Sequence, residues 1–133
     1  MERDYSTNDF RVIVAGSRTF NDYEYAKKKL DVLLKRKKNV VIICGTANGA
    51  DKLGERYAKE KGLEIMYFPP DWEKFGKSAG YIRNKHMAEQ ADALIAFWDG
   101  ESKGTRHMIN IANKEDLPTR VCYVEIEDEE NDE

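Results

Sequence analysis

Long apolar runs are missing from this chain. The longest are Val40–Cys44 and Ala93–Trp98. Neither approaches the ~20 residues that a membrane-spanning helix requires, so no membrane partner is expected. Cysteine is scarce, with only Cys44 and Cys122. Both lie inside apolar stretches, where a thiol is a small core residue, and two cysteines make no disulfide framework. Histidine is equally scarce. His86 and His107 have no metal-ligand spacing with each other or with the cysteines, so they are read as surface or capping residues, and neither a metal nor a cofactor is expected. The opening Met1-Glu2-Arg3-Asp4 lacks the basic-then-apolar layout of a secretory leader. With the cysteine usage, this makes a reducing cytoplasm the expected location.

A strong basic excess is also missing. The chain has 22 basic and 25 acidic residues, a net charge of −3. Seven of the acids fall between Glu125 and Glu133, where there is no base. The remaining body carries 22 basic against 18 acidic residues, or +4. Such a body suits phosphate-bearing ligands but lacks the basic stripe of a dedicated nucleic-acid binder, so nucleic acid is not an expected partner. Residues 127–133 form a self-repelling acidic tail, expected to be disordered and to act as a solubilising end.

What is present is one domain's worth of chain. It has 133 residues, 41% hydrophobic and 35% charged, enough for one sheet with flanking helices. Apolar runs alternate with helical patterns. Strands are expected at 11–15, 40–44, 64–68, 93–98 and 120–126. Val40-Val41-Ile42-Ile43-Cys44 reads as a strand buried on both faces. Helices are expected at 22–37, 50–61, 78–90 and 104–115. The first places Tyr23, Ala26, Leu30, Leu33 and Leu34 on one face, with Asn21 or Asp22 as its cap, and Gly62 ends the second. This alternation predicts an α/β fold: a single Rossmann-like three-layer α/β/α sandwich of about five mainly parallel strands joined by right-handed crossovers. Residues 1–10 read as an N-terminal extension and 11–126 as the domain.

In a parallel sheet every strand-to-helix junction lies on the carboxyl edge, where ligands bind and helix N-termini attract anions. The first junction runs Gly16-Ser17-Arg18-Thr19-Phe20. Gly16 allows close backbone approach, while Ser17 and Arg18 are donors to an oxygen anion. The second, Gly45-Thr46-Ala47-Asn48-Gly49-Ala50-Asp51, is nearly free of large side chains and suits a phosphate cradle. Asp51 serves either the helix dipole or a ribose contact. The third junction carries Trp72 and Phe75, then Gly80, Arg83 and Asn84. An aromatic there is either a base-stacking wall or a plug at the sheet edge. Met87 is expected in the core. The fourth, Asp99-Gly100-Glu101-Ser102-Lys103-Gly104-Thr105, is again glycine-rich and hydroxyl-bearing.

Sharper motifs fail. Gly45-x-x-x-Gly49 is not followed by Lys-Ser/Thr, and no GxGxxG follows the first strand. Gly100-x-Ser102-x-Gly104 matches a nucleophile elbow, but the sole downstream histidine, His107, is almost adjacent, which leaves no room for the usual acid and base.

Taken in order, the junctions resemble the YspA/YpsA-related family of the SMF/DprA–LOG (SLOG) superfamily. The resemblance rests on residues 15–20, Gly45 with 49–51, Ala79-Gly80 with Arg83-Asn84 and Met87, and Trp98-Asp99-Gly100 with Ser102-x-Gly104-Thr105. It runs from about Arg11 to Leu117. It implies a nucleotide or nucleotide-derived ligand, such as an ADP-ribose-like or cyclic signalling nucleotide, which the protein senses, carries or sequesters. It also implies a homo-oligomer with sites near subunit interfaces. Phosphoribohydrolases of the superfamily carry Gly-Gly-x-Gly-Thr-x-x-Glu. Here Gly104-Thr105 is followed by Arg106, His107 and Met108, and a thioether is neither acid nor base. Binding is therefore the leading expectation. Gly16, Gly45, Gly49, Gly100 and Gly104 would give close backbone approach. Ser17, Arg18, Ser102 and Thr105 would hold phosphate, and Arg83 would pair with an anion. Asp51 or Asn84 would meet a ribose hydroxyl, Trp72 would meet a base, and Thr46, Ala50, Gly80 and Asp99 complete the expected ligand-binding set. The alternatives are a nucleotide-cleaving hydrolase using Asp51 and Arg83, and a single-stranded DNA binder.

Overall fold

The computed structural model describes residues 8–125. The acidic tail at 127–133 and most of the N-terminal extension lie outside the described residues. Along the chain run β1 (Phe10–Gly16), α1 (Tyr23–Leu34), β2 (Val40–Cys44), α2 (Ala50–Lys61) and β3 (Glu64–Tyr67). Then come a single turn, α3 (Trp72–Phe75), α4 (Ala79–Gln90), β4 (Ala93–Trp98), α5 (Lys103–Lys114) and β5 (Thr119–Tyr123). Among the described residues the strands form one parallel sheet in the order β3-β2-β1-β4-β5. The chain steps outward from β1 to β3, then returns to lay β4 on the other side of β1. The crevice between β1 and β4 is the point where strand order reverses.

Alternation along the strands sorts side chains into two cores. Val12, Val14, Ile42, Ile95 and Phe97 face α1 and α2, meeting Ala26, Leu30, Tyr57 and Ala58. Ile13, Ala15, Ile43, Leu94 and Ala96 face α4 and α5, meeting Met87, Ala88, Met108 and Ala112. Cys44 and Cys122 are both buried thiols.

The helix ends follow their local chemistry. The Asp22 carboxylate accepts from the Tyr25 amide at 3.1 Å and caps α1. α2 ends at Gly62, whose φ of 68° is left-handed and whose amide turns back onto the carbonyls of Ala58 and Lys59. α1 stops at Leu34, three residues short of the expected end. The following Lys35-Arg36-Lys37-Lys38 crowds like charges, and Asn39 at φ 54° turns the chain into β2. The segment after Pro69-Pro70, expected as a loop, contains α3 and a 3₁₀ turn at Gly76–Ser78. The Asp71 carboxylate starts α3 by accepting from the Lys74 amide at 3.1 Å.

α2 lies close on the sheet because Gly54 has no side chain. A Cβ there would come within 2.8 Å of Val14 Cβ, inside β1. Replacing a helical glycine with alanine gains roughly 1 kcal/mol of helix propensity. Overpacking a rigid contact costs about 1–3 kcal/mol. The expected result for Gly54→Ala is a net loss of stability, measured as a lower urea midpoint; a raised midpoint would contradict this packing.

Candidate functional site

The first two junctions lock together backbone to backbone. Gly49 has φ 74° and ψ −125°, a conformation that suits glycine alone. A Cβ at this position would overlap the Ser17 and Arg18 carbonyl oxygens. The Ala50 amide donates to the Ser17 carbonyl at 3.2 Å, so the first junction caps α2. The Ser17 amide donates to the Phe97 carbonyl at 2.9 Å, and its hydroxyl accepts from the Asp99 amide at 3.1 Å. Asp99 Oδ1 accepts from the amides of Glu101 and Ser102 at 2.9 and 2.8 Å and shapes the fourth corner. Burial alone would raise the Asp99 carboxyl, but the Ser102 and Glu101 amides and the Ser17 hydroxyl hold it below its ordinary value.

A second cluster joins the remaining corners. A Cβ at Gly45 would lie 2.8 Å from Asp51 Oδ2 and 2.9 Å from Arg83 Nη1. Glycine is what lets the carboxylate and the guanidinium approach the same point. Arg83 donates through Nη1 to the Gly45 carbonyl and through Nε to Asn84 Oδ1, the latter at 2.9 Å. Asn84 Nδ2 lies 3.4 Å from the Gly104 carbonyl, to which it donates, and 3.2 Å from His107 Nδ1. α4 therefore holds the end of β2 with its arginine and the first turn of α5 with its asparagine.

Between these clusters lies a cavity of about 360 Å³, within the range of small-molecule sites, roughly 300–1,000 Å³. Ala15, Met87 and Met108 form its apolar floor. Arg18, Lys77 and Arg83 bring cations from three separate segments, and Asp51 brings a carboxylate. Trp72 and Tyr81, both about half exposed, supply aromatic surface. Ser102, Gly104 and Thr105 form the facing wall at the start of α5, where the leading amides of a helix lack intrahelical acceptors and favour an anion.

Asp51 is 6% exposed. Burial pushes its carboxyl up to about 6, against the opposing pull of the Ala47 amide at 3.0 Å and the charges of Arg83 and Arg18. Burial lowers the Arg83 guanidinium below its ordinary value, with Asp51 acting in the opposite sense. His107, packed with its ring 4.3 Å from that of Tyr81, is likewise lowered by burial.

Of the residues expected at the site, Gly16, Arg18, Asp51, Trp72 and Gly80 line the cavity, as do Arg83, Asn84, Ser102, Gly104 and Thr105. Ser17, Gly49 and Ala50 frame it through the backbone lock, and Gly45 stands beside Asp51 and Arg83. Thr46 is exposed at φ 66°, a strained value for a β-branched residue. Asp99 and Gly100, the latter at φ 84°, form the turn above Ser102. Lys77 and Tyr81 line the cavity without having been singled out in the sequence. Lys77 sits in the segment expected as loop, where one lysine looks like any solvated lysine. The available signal was spacing: 77, 80, 81 and 84 fall at i, i+3, i+4 and i+7, one helical face.

Parallel sheet, reversed strand order and a cationic cleft at the carboxyl edge define a Rossmann-like domain. The model of the YspA, cpYpsA-related SLOG family matches residues 10–75. The Gene 61 protein of Mycobacterium phage D29 is 36% identical over 115 residues, spanning 81% of this chain and 92% of that protein. The chain belongs to the YspA, cpYpsA-related SLOG family. Among solved structures, DNA processing protein A (DprA) from Streptococcus pneumoniae superposes with a TM-score of 0.70 at 17% identity, over 90% of this chain. The match takes in about half of the DprA chain, 52%, and at that identity the likeness is one of fold. No helix among the described residues is long and apolar enough to cross a membrane.

The Asp51 shift carries a sign. The folded carboxyl lies near 6 against 3.8 ordinarily, so its contribution to stability is full below 3.8 and is lost as pH rises through about 6. At ~1.36 kcal/mol per unit the loss is about 3 kcal/mol. Asp51→Asn, which does not titrate, is expected to gain about that much on the wild type between pH 4 and pH 7 in urea unfolding. A gap that stays constant over this range would disprove the buried carboxylate.

Proposed function

We propose that the chain binds a nucleotide or nucleotide-derived ligand, of the ADP-ribose-like or cyclic signalling kind, in the cleft at the carboxyl edge. The observation that carries this reading is the convergence of Arg18, Lys77 and Arg83 with the first turn of α5 in one cavity. Phosphate oxygens would lie against the α5 wall and the guanidinium groups. A base would lie against Trp72 or Tyr81, and a ribose hydroxyl would donate to Asp51. Met108 on the floor brings no acid or base, which favours sensing, carriage or sequestration over hydrolysis. In the same reading the protein works in the cytoplasm as a homo-oligomer.

One observation favours a second reading, a nucleotide-cleaving hydrolase. A carboxyl near 6 beside a cavity is suited to general acid–base work. Incubation with the bound nucleotide and product analysis decide between the two. Turnover that disappears in Asp51→Asn while binding persists would establish the hydrolase.

The primary test is calorimetric titration with AMP, NAD, ADP-ribose and cyclic nucleotides, with a single-stranded oligonucleotide as a further arm. The oligonucleotide belongs there because the solved neighbour is named a DNA processing protein. At least one phosphate-bearing nucleotide is expected to bind. Lys77→Ala, a change at an exposed side chain, should weaken it about fivefold, or ~1 kcal/mol. Arg83→Ala should weaken it at least about tenfold, as befits a charge-assisted contact. Silence across the nucleotide panel would remove this reading, and binding confined to the oligonucleotide would replace it.

A further inference from the structure

We propose that the cleft continues past the start of α5 onto a second stacking shelf built from Trp98, Tyr123 and Arg106, and that the ligand is a dinucleotide with an aromatic base at each end. This inference rests on the nucleotide reading above and names its substrate class. Trp98 and Tyr123 are register partners at the carboxyl ends of β4 and β5. Leu94 and Ala96 face α4 and α5, so the alternation of the strand puts Trp98 on the same side, and its partner Tyr123 with it. Their ring centroids are 5.8 Å apart at an interplanar angle of 36°. The Arg106 guanidinium stands over the Trp98 ring, 5.6 Å from its centroid.

Ser102 joins shelf to cleft. It lines the cavity, and its carbonyl accepts from the Trp98 indole N–H at 3.1 Å. Its hydroxyl lies 3.2 Å from that of Thr105, also in the cavity wall. The first turn of α5 thus stands between two aromatic surfaces, Trp72 with Tyr81 on one side and Trp98 with Tyr123 on the other. A pyrophosphate held at that turn would have one base directed to each. Tyr123 is 69% exposed. Edge-strand propensity explains a tyrosine there, but not an indole and a guanidinium stacked beside it at the rim of an anion cleft. Because Trp98 already orders the Tyr123 ring, stacking a base on it costs little further side-chain freedom.

ADP-ribose and diadenosine diphosphate share a pyrophosphate and two riboses but carry one base and two. Calorimetry on the full chain should show diadenosine diphosphate binding about tenfold more tightly, as one additional stacked base provides. Tyr123→Ala should abolish that preference, Tyr123→Phe should keep it, and ADP-ribose affinity should stay the same in all three proteins. Equal affinities in the wild type, or a preference that survives Tyr123→Ala, would overturn the shelf while leaving the nucleotide cleft standing. A change in sedimentation of Tyr123→Ala would assign the ring to a subunit contact and overturn the shelf as well. If the wild type bound neither compound nor any other nucleotide, the cleft reading would fall and the shelf with it.

Discussion

The backbone of Ser17 is the point on which the rest of the rim depends. Its carbonyl accepts from the Ala50 and Phe20 amides, its own amide donates to Phe97, and its hydroxyl accepts from the Asp99 amide. These bonds gather the corners after β1, β2 and β4 at the place where strand order reverses. A buried peptide group without a partner is costly, so none of these corners moves independently of the others. Gly49 is part of the same constraint, because only a residue without Cβ lets the second loop lie against the Ser17 and Arg18 carbonyls. The rim is therefore preorganised, and donors that need no rearrangement bind an anion at lower entropic cost.

Around this frame the electrostatics are deliberately unequal. Three cationic side chains and a helix start face a single buried carboxylate. Asp51 resists ionisation because it is buried, and Arg83 resists holding its charge for the same reason, yet each supports the charged form of the other. An incoming phosphate would strengthen the guanidinium's charged state and weaken that of the carboxylate. The excess of positive charge in the cleft is local and does not depend on a strongly basic surface, and the body's overall excess is small.

Much of the architecture was legible without coordinates. β2 is a continuous β-branched run and is buried along its whole length. α2 begins and ends at Ala50 and Lys61, as the small loop before it and Gly62 after it indicate. Ten of the seventeen residues expected at the site line one cavity, because a parallel sheet sends every strand-to-helix corner to one edge. Less legible were features that depend on partners distant in sequence. Ser17 looked like a phosphate donor, whereas its hydroxyl is engaged by Asp99, 82 residues away. Asn84 looked like a ribose contact, whereas its side chain bridges Arg83 to Gly104 and His107. Lys77 and Tyr81 carried no local mark, since one exposed lysine or tyrosine resembles another until a cavity forms beside it.

By itself, the order of apolar runs, helix faces and glycine corners determined the class of fold, the edge at which the cleft opens and most of the residues that line it. Hydrophobic periodicity and turn chemistry are local, and they repeat often enough along this chain to leave one architecture. Which polar groups remain available to a ligand, and which are consumed in holding the corners together, was decided only by tertiary structure. Hydrogen bonds saturate: a hydroxyl or amide already engaged across the fold has less to offer a phosphate, and sequence spacing does not report that engagement.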